Sequence, residues 1–212
     1  MMENNYKIKL ENVTKLFGRR LIFRNVNHEF CSNKVYGLAG RNGSGKSTLA
    51  KIIVGLTSPT SGKIIHTLNN KIIIDERLHE QIGFVSPYLV LYDEFSAYEN
   101  LILTLKIRGK KIDDEKIKYW LNEFDLYERK NDLLKGYSSG MKQRIKFIFA
   151  VIHEPAFLLF DEPTSNLDNN GKEKVYHMIK EELKEKCVIV ASNEDNDLAL
   201  CDEILKIEEF KN

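Results

Sequence analysis

The sequence predicts an α/β fold: a parallel-sheet core, an antiparallel β-subdomain near the N-terminus, and an α-helical lobe inserted in the middle. Three observations predict it. The stretch after Pro155 alternates strand and helix, which implies parallel pairing with functional groups at the strand C-termini. The first third consists of alternating polar and apolar segments and carries Asn69-Asn70, a two-residue hairpin signal. The middle reads as three helices with apolar stripes at helical spacing.

Each element has a local cause. Residues 6–10 and 13–17 alternate, Gly18 stops the second run, and residues 21–30 alternate again. Residues 35–39 form a short apolar run, read as a buried strand, and residues 48–54 a helix that ends near Gly55. Ser58-Pro59-Thr60-Ser61-Gly62 is a turn. Residues 63–68 and 71–75 are the expected hairpin arms around Asn69-Asn70. Ser96-Ala97-Tyr98-Glu99 is a capping-box pattern that opens a helix to Arg108, with Gly109 as its stop. Residues 113–124 place Ile117, Trp120, Leu121 and Phe124 at helical spacing. Ser138 caps a third helix with Ile145, Ile148, Phe149 and Ile152 on one face, ended by Pro155. Residues 156–160 are a strand, 171–184 a helix, 187–191 a strand, 195–201 a short helix and 203–207 a last strand. The expected division is a core with its β-subdomain over 1–86, a helical lobe over 87–154, and the rest of the core over 155–212.

Composition narrows the function. The 212 residues are 42% apolar, enough for a real core. Charge is balanced, 32 basic against 31 acidic residues, which does not point to a nucleic-acid partner. Cys31, Cys187 and Cys201 are scattered without C-x-x-C spacing, as expected of ordinary thiols in a reducing cytoplasm. Residues 1–9 are polar and charged rather than a secretory leader, and no apolar run approaches the ~18 residues of a membrane span. A membrane role would come through a partner.

Gly40-Arg41-Asn42-Gly43-Ser44-Gly45-Lys46-Ser47 fits G-x-x-x-x-G-K-[ST], the phosphate-binding loop of P-loop NTPases, and sits between a strand and a helix as that loop requires. The RecA-like core of those proteins is the expected fold. Glycines let backbone curl around phosphate oxygens, and the amides of Ser44 to Thr48 converge at a helix N-terminus where negative charge is favoured. Gly40, Asn42, Gly43, Ser44, Gly45 and Thr48 are therefore expected to line the nucleotide. Lys46 would meet the β- and γ-phosphates, and Ser47 would ligate Mg²⁺. Farther on, the apolar run 157–160 ends in Asp161 and Glu162. Asp161 is placed to hold Mg²⁺ through water, and Glu162 to act as general base on the water that attacks the γ-phosphate.

Here the chain resembles ATP-binding cassette (ABC) ATPases over essentially its whole length. Tyr137-Ser138-Ser139-Gly140-Met141-Lys142-Gln143-Arg144 is similar to the family signature, usually written LSGGQ. The resemblance implies that Ser138 and Gly140 contact the γ-phosphate of ATP held by a facing subunit, in a head-to-tail dimer, expected to be a homodimer, with two ATPs at its interface. Phe17, in Lys15-Leu16-Phe17-Gly18, matches an aromatic that stacks on adenine. Ser165-Asn166-Leu167-Asp168 matches the D-loop, which in relatives touches the facing P-loop.

Four positions depart from the family. Pro87 stands where relatives carry a glutamine that helps ligate Mg²⁺, in Ile82-Gly83-Phe84-Val85-Ser86-Pro87. Asn193 replaces the switch histidine in Ala191-Ser192-Asn193-Glu194; it can donate an N–H to the γ-phosphate but cannot carry a proton charge. Ser139 and Met141 replace a signature glycine and glutamine, while Ser138 and Gly140 remain. The binding parts and Glu162 are intact, so a working, slow ATPase is expected, with a clamp that binds ATP and barely hydrolyses it as the competing reading. The short single cassette resembles exporter-type subunits, among them the haem-export subunits of cytochrome c maturation. It implies a separate transmembrane permease, seated by apolar residues 88–101, at the inner face of the cell membrane. A soluble ABC ATPase outside transport is the remaining alternative.

Overall fold

The computed structural model describes residues 5–211; residues 1–4 and 212, which belong to the first and last expected segments, lie outside it. Two sheets organise the chain. An antiparallel sheet has the order β2-β1-β4-β5, and a parallel sheet the order β6-β7-β8-β3-β9.

The antiparallel sheet is built from β1 (Tyr6–Phe17), β2 (Arg20–Cys31), β4 (Ser61–Leu68) and β5 (Lys71–Ile72). Residues 6–10 and 13–17 are one strand rather than two. A bulge between Leu10 and Val13 shifts the register, and Asn12 takes φ 52° there. The Asn69-Asn70 turn forms as expected, both residues with positive φ, matching the primed turn that joins twisted strands. Its second arm is shorter than the alternation suggests. Pairing ends at Ile72, and Asp75–Leu78 turns into a short helix, α2.

The parallel sheet comprises β3 (Lys34–Ala39), β6 (Ile82–Val85), β7 (Phe157–Asp161), β8 (Cys187–Ser192) and β9 (Glu203–Lys206). Strand β6 has no counterpart in the periodicity of the sequence, because four residues containing a glycine carry little periodic signal. The helices are α1 (Lys46–Ile53), α3 (Ala97–Ile107), α4 (Asp114–Glu123), α5 (Ser139–Val151), α6 (Asn169–His177) and α7 (Asp195–Leu198). Ser96 caps α3 with a full capping box, and Asp113 and Ser138 cap α4 and α5. The helix expected from Gly171 starts at Asn169 and closes in a π-helical turn, Met178–Glu182.

Each face of the parallel sheet has its own core. Side chains alternate along a strand, so Phe157 and Leu159 of β7 face one way and Leu158 and Phe160 the other. The first pair packs with Tyr6, Phe30, Leu49 and Ile53 from the antiparallel sheet and α1. The second packs with Leu121, Phe124, Phe147 and Ile148 from the helical region. The strand C-termini lie in register: Ala39 pairs with Ser192, and Asp161 with Ala191. The loops leaving β3, β7 and β8 therefore emerge side by side.

Candidate active site

Strand β3 delivers Gly40, and the glycine-rich loop turns into α1. Gly45 is its N-cap at φ 115°, a conformation closed to most side chains. A Cβ there would come within 2.7 Å of Ile22, so the loop can press against β2 only with glycine at this position. No side chain caps α1 and no acid occupies its first turn. Its leading amides are left to an outside acceptor, the arrangement that receives a phosphate.

Lys46 is buried (4% exposed) and its Nζ donates to the carbonyls of Gly40 and Arg41. A buried ammonium whose hydrogen bonds go to carbonyls is suited to meeting an added anion. Ser47 donates its hydroxyl to Oδ1 of Asp161 at 3.0 Å. Alternation along β7 makes this contact: Asp161 shares the face of Phe157 and Leu159, on which α1 packs. Asp161 has no exposed surface, and its Oδ2 is buried without a hydrogen-bond partner. Burial pushes its carboxyl above the ordinary value of 3.8, with the Ser47 hydrogen bond opposing. An orphaned, desolvated carboxylate oxygen beside a serine hydroxyl fits a Mg²⁺ site that water and phosphate oxygens complete.

Glu162 takes φ 52°, an uncommon conformation for a residue with a side chain, held by its N–H donating to the Ala191 carbonyl at 2.8 Å. It lines a cleft of about 230 Å³ with Ser165, Asn166, Ser192 and Asn193. The structure thus brings Asp161 to Ser47 on one side of β7 and Glu162 toward Asn193 on the other. A larger cleft, about 620 Å³ along α4, contains none of these residues.

Phe17 ends β1 with 54% of its surface exposed and the Lys15 ammonium 4.8 Å from its ring centroid. It is available for stacking. Ser138 and Gly140 stand apart from the P-loop at the start of α5. The Ser138 hydroxyl accepts from the Met141 N–H at 3.2 Å, which leaves its own proton to donate outward. Gly140 approaches the D-loop: a Cβ would lie 3.2 Å from the Asn166 carbonyl. Pro87 follows β6 on an exposed loop whose carbonyls, with that of Ser86, receive the Lys146 ammonium at 3.3–3.4 Å.

Two acids escaped the sequence reading. Glu208, in the last helical turn, accepts from the Arg41 N–H at 2.6 Å, which holds its carboxyl below the usual range. Asp197 is fully buried against Thr164, Tyr176 and Ser192. Neither carries a local signal; each looks like a solvated acid until the fold closes.

The ABC transporter family profile matches residues 23–165. The chain is 36% identical over 186 residues to the lantibiotic transport ATP-binding protein SrtF of Streptococcus pyogenes, covering 88% of this chain and 79% of that one. It is 35% identical over 172 residues to the bacitracin transport ATP-binding protein BcrA of Enterococcus faecalis, covering 81% of this chain but only 55% of that protein. The fold superposes on the dimeric ABC transporter cassette MJ0796 with a TM-score of 0.82, 28% identity and 95% of both chains covered. It matches the same cassette in a post-hydrolysis state bound to ADP and Pi with a TM-score of 0.81, 28% identity, and 94% and 93% coverage. Among the described residues, no helix is long and apolar enough to cross a membrane.

Proposed function

The chain belongs to the ABC transporter family of ATP-binding proteins, and on that premise we propose that it binds and hydrolyses Mg-ATP in a head-to-tail dimer to drive a separate membrane permease, as an exporter-type subunit. The ATPase assignment follows from the family. The observation that carries the rest is the meeting of Ser47 with the orphaned carboxylate of Asp161 at the mouth of an uncapped helix. Mg²⁺ held by Ser47 and Asp161 would supply charge neutralisation to the phosphates. The chain's own groups do the remainder. The α1 amides and Lys46 orient the phosphates, Phe17 stacks the base, and Glu162 accepts the proton of the attacking water. Asn193 donates to the γ-phosphate.

The second copy enters because Ser138 and Gly140 lie on another helix start, facing outward. A second P-loop in head-to-tail arrangement would receive them, so two sites form per dimer. The permease reading is supported by the loop after Pro87. Tyr88, Val90 and Tyr92 are 74%, 85% and 60% exposed, beside a groove of about 260 Å³ that Leu91, Ile107 and Phe149 help line. The Lys51 ammonium, in the last turn of α1, lies 4.9 Å from the Tyr88 ring centroid, so that loop touches the helix that begins at the P-loop. The dimer would sit on the inner face of the membrane. The relatives named above are named for bacitracin and lantibiotic transport, which supports a transport subunit but not a haem exporter in particular.

A second reading, an ATP-dependent clamp with little hydrolysis, is favoured by Pro87 and Asn193 in place of the family's glutamine and histidine. Mg-ATP turnover measured over a range of protein concentrations separates the two, with Glu162→Gln as control. Turnover per chain that climbs with concentration and vanishes in the variant supports the hydrolysing dimer. ATP binding without turnover, with or without the permease, overturns it in favour of the clamp.

A further inference from the structure

Asp197 has no exposed surface, and its partners are hydroxyls rather than a cation. Ser192 donates to Oδ2 at 2.6 Å. Thr164 lies 3.0 and 3.1 Å from the two carboxylate oxygens. Tyr176 donates to Oδ1 at 3.0 Å, with its phenol pushed up to about 12 by burial and then by this carboxylate. These donors belong to three segments. Ser192 ends β8, immediately before Asn193; Thr164 lies in the loop that follows Glu162; Tyr176 is on α6.

For stability alone this is a poor arrangement. Desolvating a carboxylate costs more than apolar packing of the same volume, unless the group is wanted for its directional bonds. An ionised carboxylate only accepts, so it compels all of these hydroxyls to point inward and holds their segments to one another. The bracing continues into backbone. The Ser192 hydroxyl accepts from the Glu194 N–H at 3.1 Å, fixing the turn that carries Asn193. The Glu162 carbonyl accepts from the Ser165 N–H at 3.3 Å, so the loop holding Thr164 closes on Glu162 itself. Asp197 lines the cleft that Glu162 and Asn193 share.

We propose that Asp197 is a positioning residue for hydrolysis: it ties the segment carrying Glu162 to the segment carrying Asn193 and sets their separation across the cleft. The role rests on the hydrolytic reading of that cleft. With no exposed surface of its own, it acts through the segments that carry those two side chains. Because the brace lies within one chain, it is present before nucleotide or a second copy arrives.

The test compares Asp197→Asn, Thr164→Val and Thr164→Ser with the parent chain in three measurements: ATP affinity, turnover and backbone amide exchange. Misplaced reacting groups cost rate rather than binding. Asp197→Asn and Thr164→Val should therefore lower kcat by about 10- to 100-fold while ATP affinity stays within about twofold. Thr164→Ser, which keeps the donor, recovers most of the loss. The double variant Asp197→Asn/Thr164→Val falls no further than either single one, since both break one brace. Amides of residues 162–167 and 192–197 exchange faster in both disruptive variants, with β1 and β3 unchanged. Unaltered kcat, or a loss of affinity and rate together that Thr164→Ser does not relieve, overturns the proposal. If Asp197→Asn does not fold, the Thr164 pair carries the comparison. Exchange needs no turnover, so an inactive parent chain would refute the hydrolytic reading, while the brace is still decided by the two segments.

Discussion

Ser47 and Asp161, separated by 114 positions in sequence, share a 3.0 Å hydrogen bond at the point where α1 meets the end of β7. The serine's proton occupies one carboxylate oxygen and the other has no partner. Asp161→Asn keeps the shape and removes the charge. Turnover in Mg²⁺ should fall on the order of a hundredfold, as expected for losing about 3 kcal/mol of charge stabilisation. ATP binding without Mg²⁺ should change little, while the strengthening that Mg²⁺ gives should disappear. A variant whose binding still responds to Mg²⁺ like the parent would remove Asp161 from the metal site.

Glu162 and Asn193 flank one cleft but are expected to fail differently. Glu162→Gln deletes the base and should leave ATP affinity intact while lowering kcat by about 10²- to 10⁴-fold. Asn193→Ala removes only a donor and should cost less. Asn193→His restores a group that can carry a proton and should raise kcat above the parent's. Steady-state kinetics on the three variants checks the ordering. A flat response to Asn193→His, with Glu162→Gln still silent, would mean that position 193 does not limit the rate.

The strongest parts of this site were legible because their chemistry is local. A glycine-rich loop between strand and helix, and an apolar run ending in two acids, need no partner to be recognised. The caps at Ser96 and Ser138 were readable for the same reason, since a cap is a contact across three residues. What escaped was long-range. Asp197 and Glu208 find their partners only when β8 lies between β7 and β3 and the last turn folds onto the P-loop. The bulge that makes one strand of residues 6–17 is also a two-strand property, set by what β1 faces rather than by its own alternation.

Gly83 tests how closely the helical region must approach the sheet. A Cβ there would stand 2.2 Å from the Ala150 carbonyl oxygen and 2.9 Å from Leu158, so β6 and α5 touch backbone to side-chain-free backbone. Gly83→Ala should lower stability by about 1–3 kcal/mol through overpacking. It should also disturb the Ser86 and Pro87 carbonyls that Lys146 holds from α5. Urea unfolding measures the first effect. A midpoint within error of the parent would show that the two elements separate freely.

His66 and His153 make acid a weakness of this fold. His66 is 5% exposed and shares a 2.9 Å hydrogen bond with the Tyr6 hydroxyl; burial lowers its pKa to about 4. His153 is 2% exposed and bonds the Ile82 carbonyl through Nε2; burial, then the nearby Arg108 charge, lowers it to about 3. Each has a folded value below the ordinary 6.5, so between those limits the unfolded chain binds more protons and stability rises with pH. The stabilisation is complete above 6.5 and is lost as pH falls toward 4 and 3, on the order of 3 kcal/mol per histidine by pH 4. Asp161 works with the opposite sign, its raised carboxyl favouring the fold in acid, but only near and above 3.8. Urea midpoints at pH 7, 5.5 and 4.5 should therefore fall steadily. In His153→Gln, whose amide can still donate to Ile82, the fall should be shallower. Equal slopes in parent and variant would mean that His153 is not held neutral by the fold.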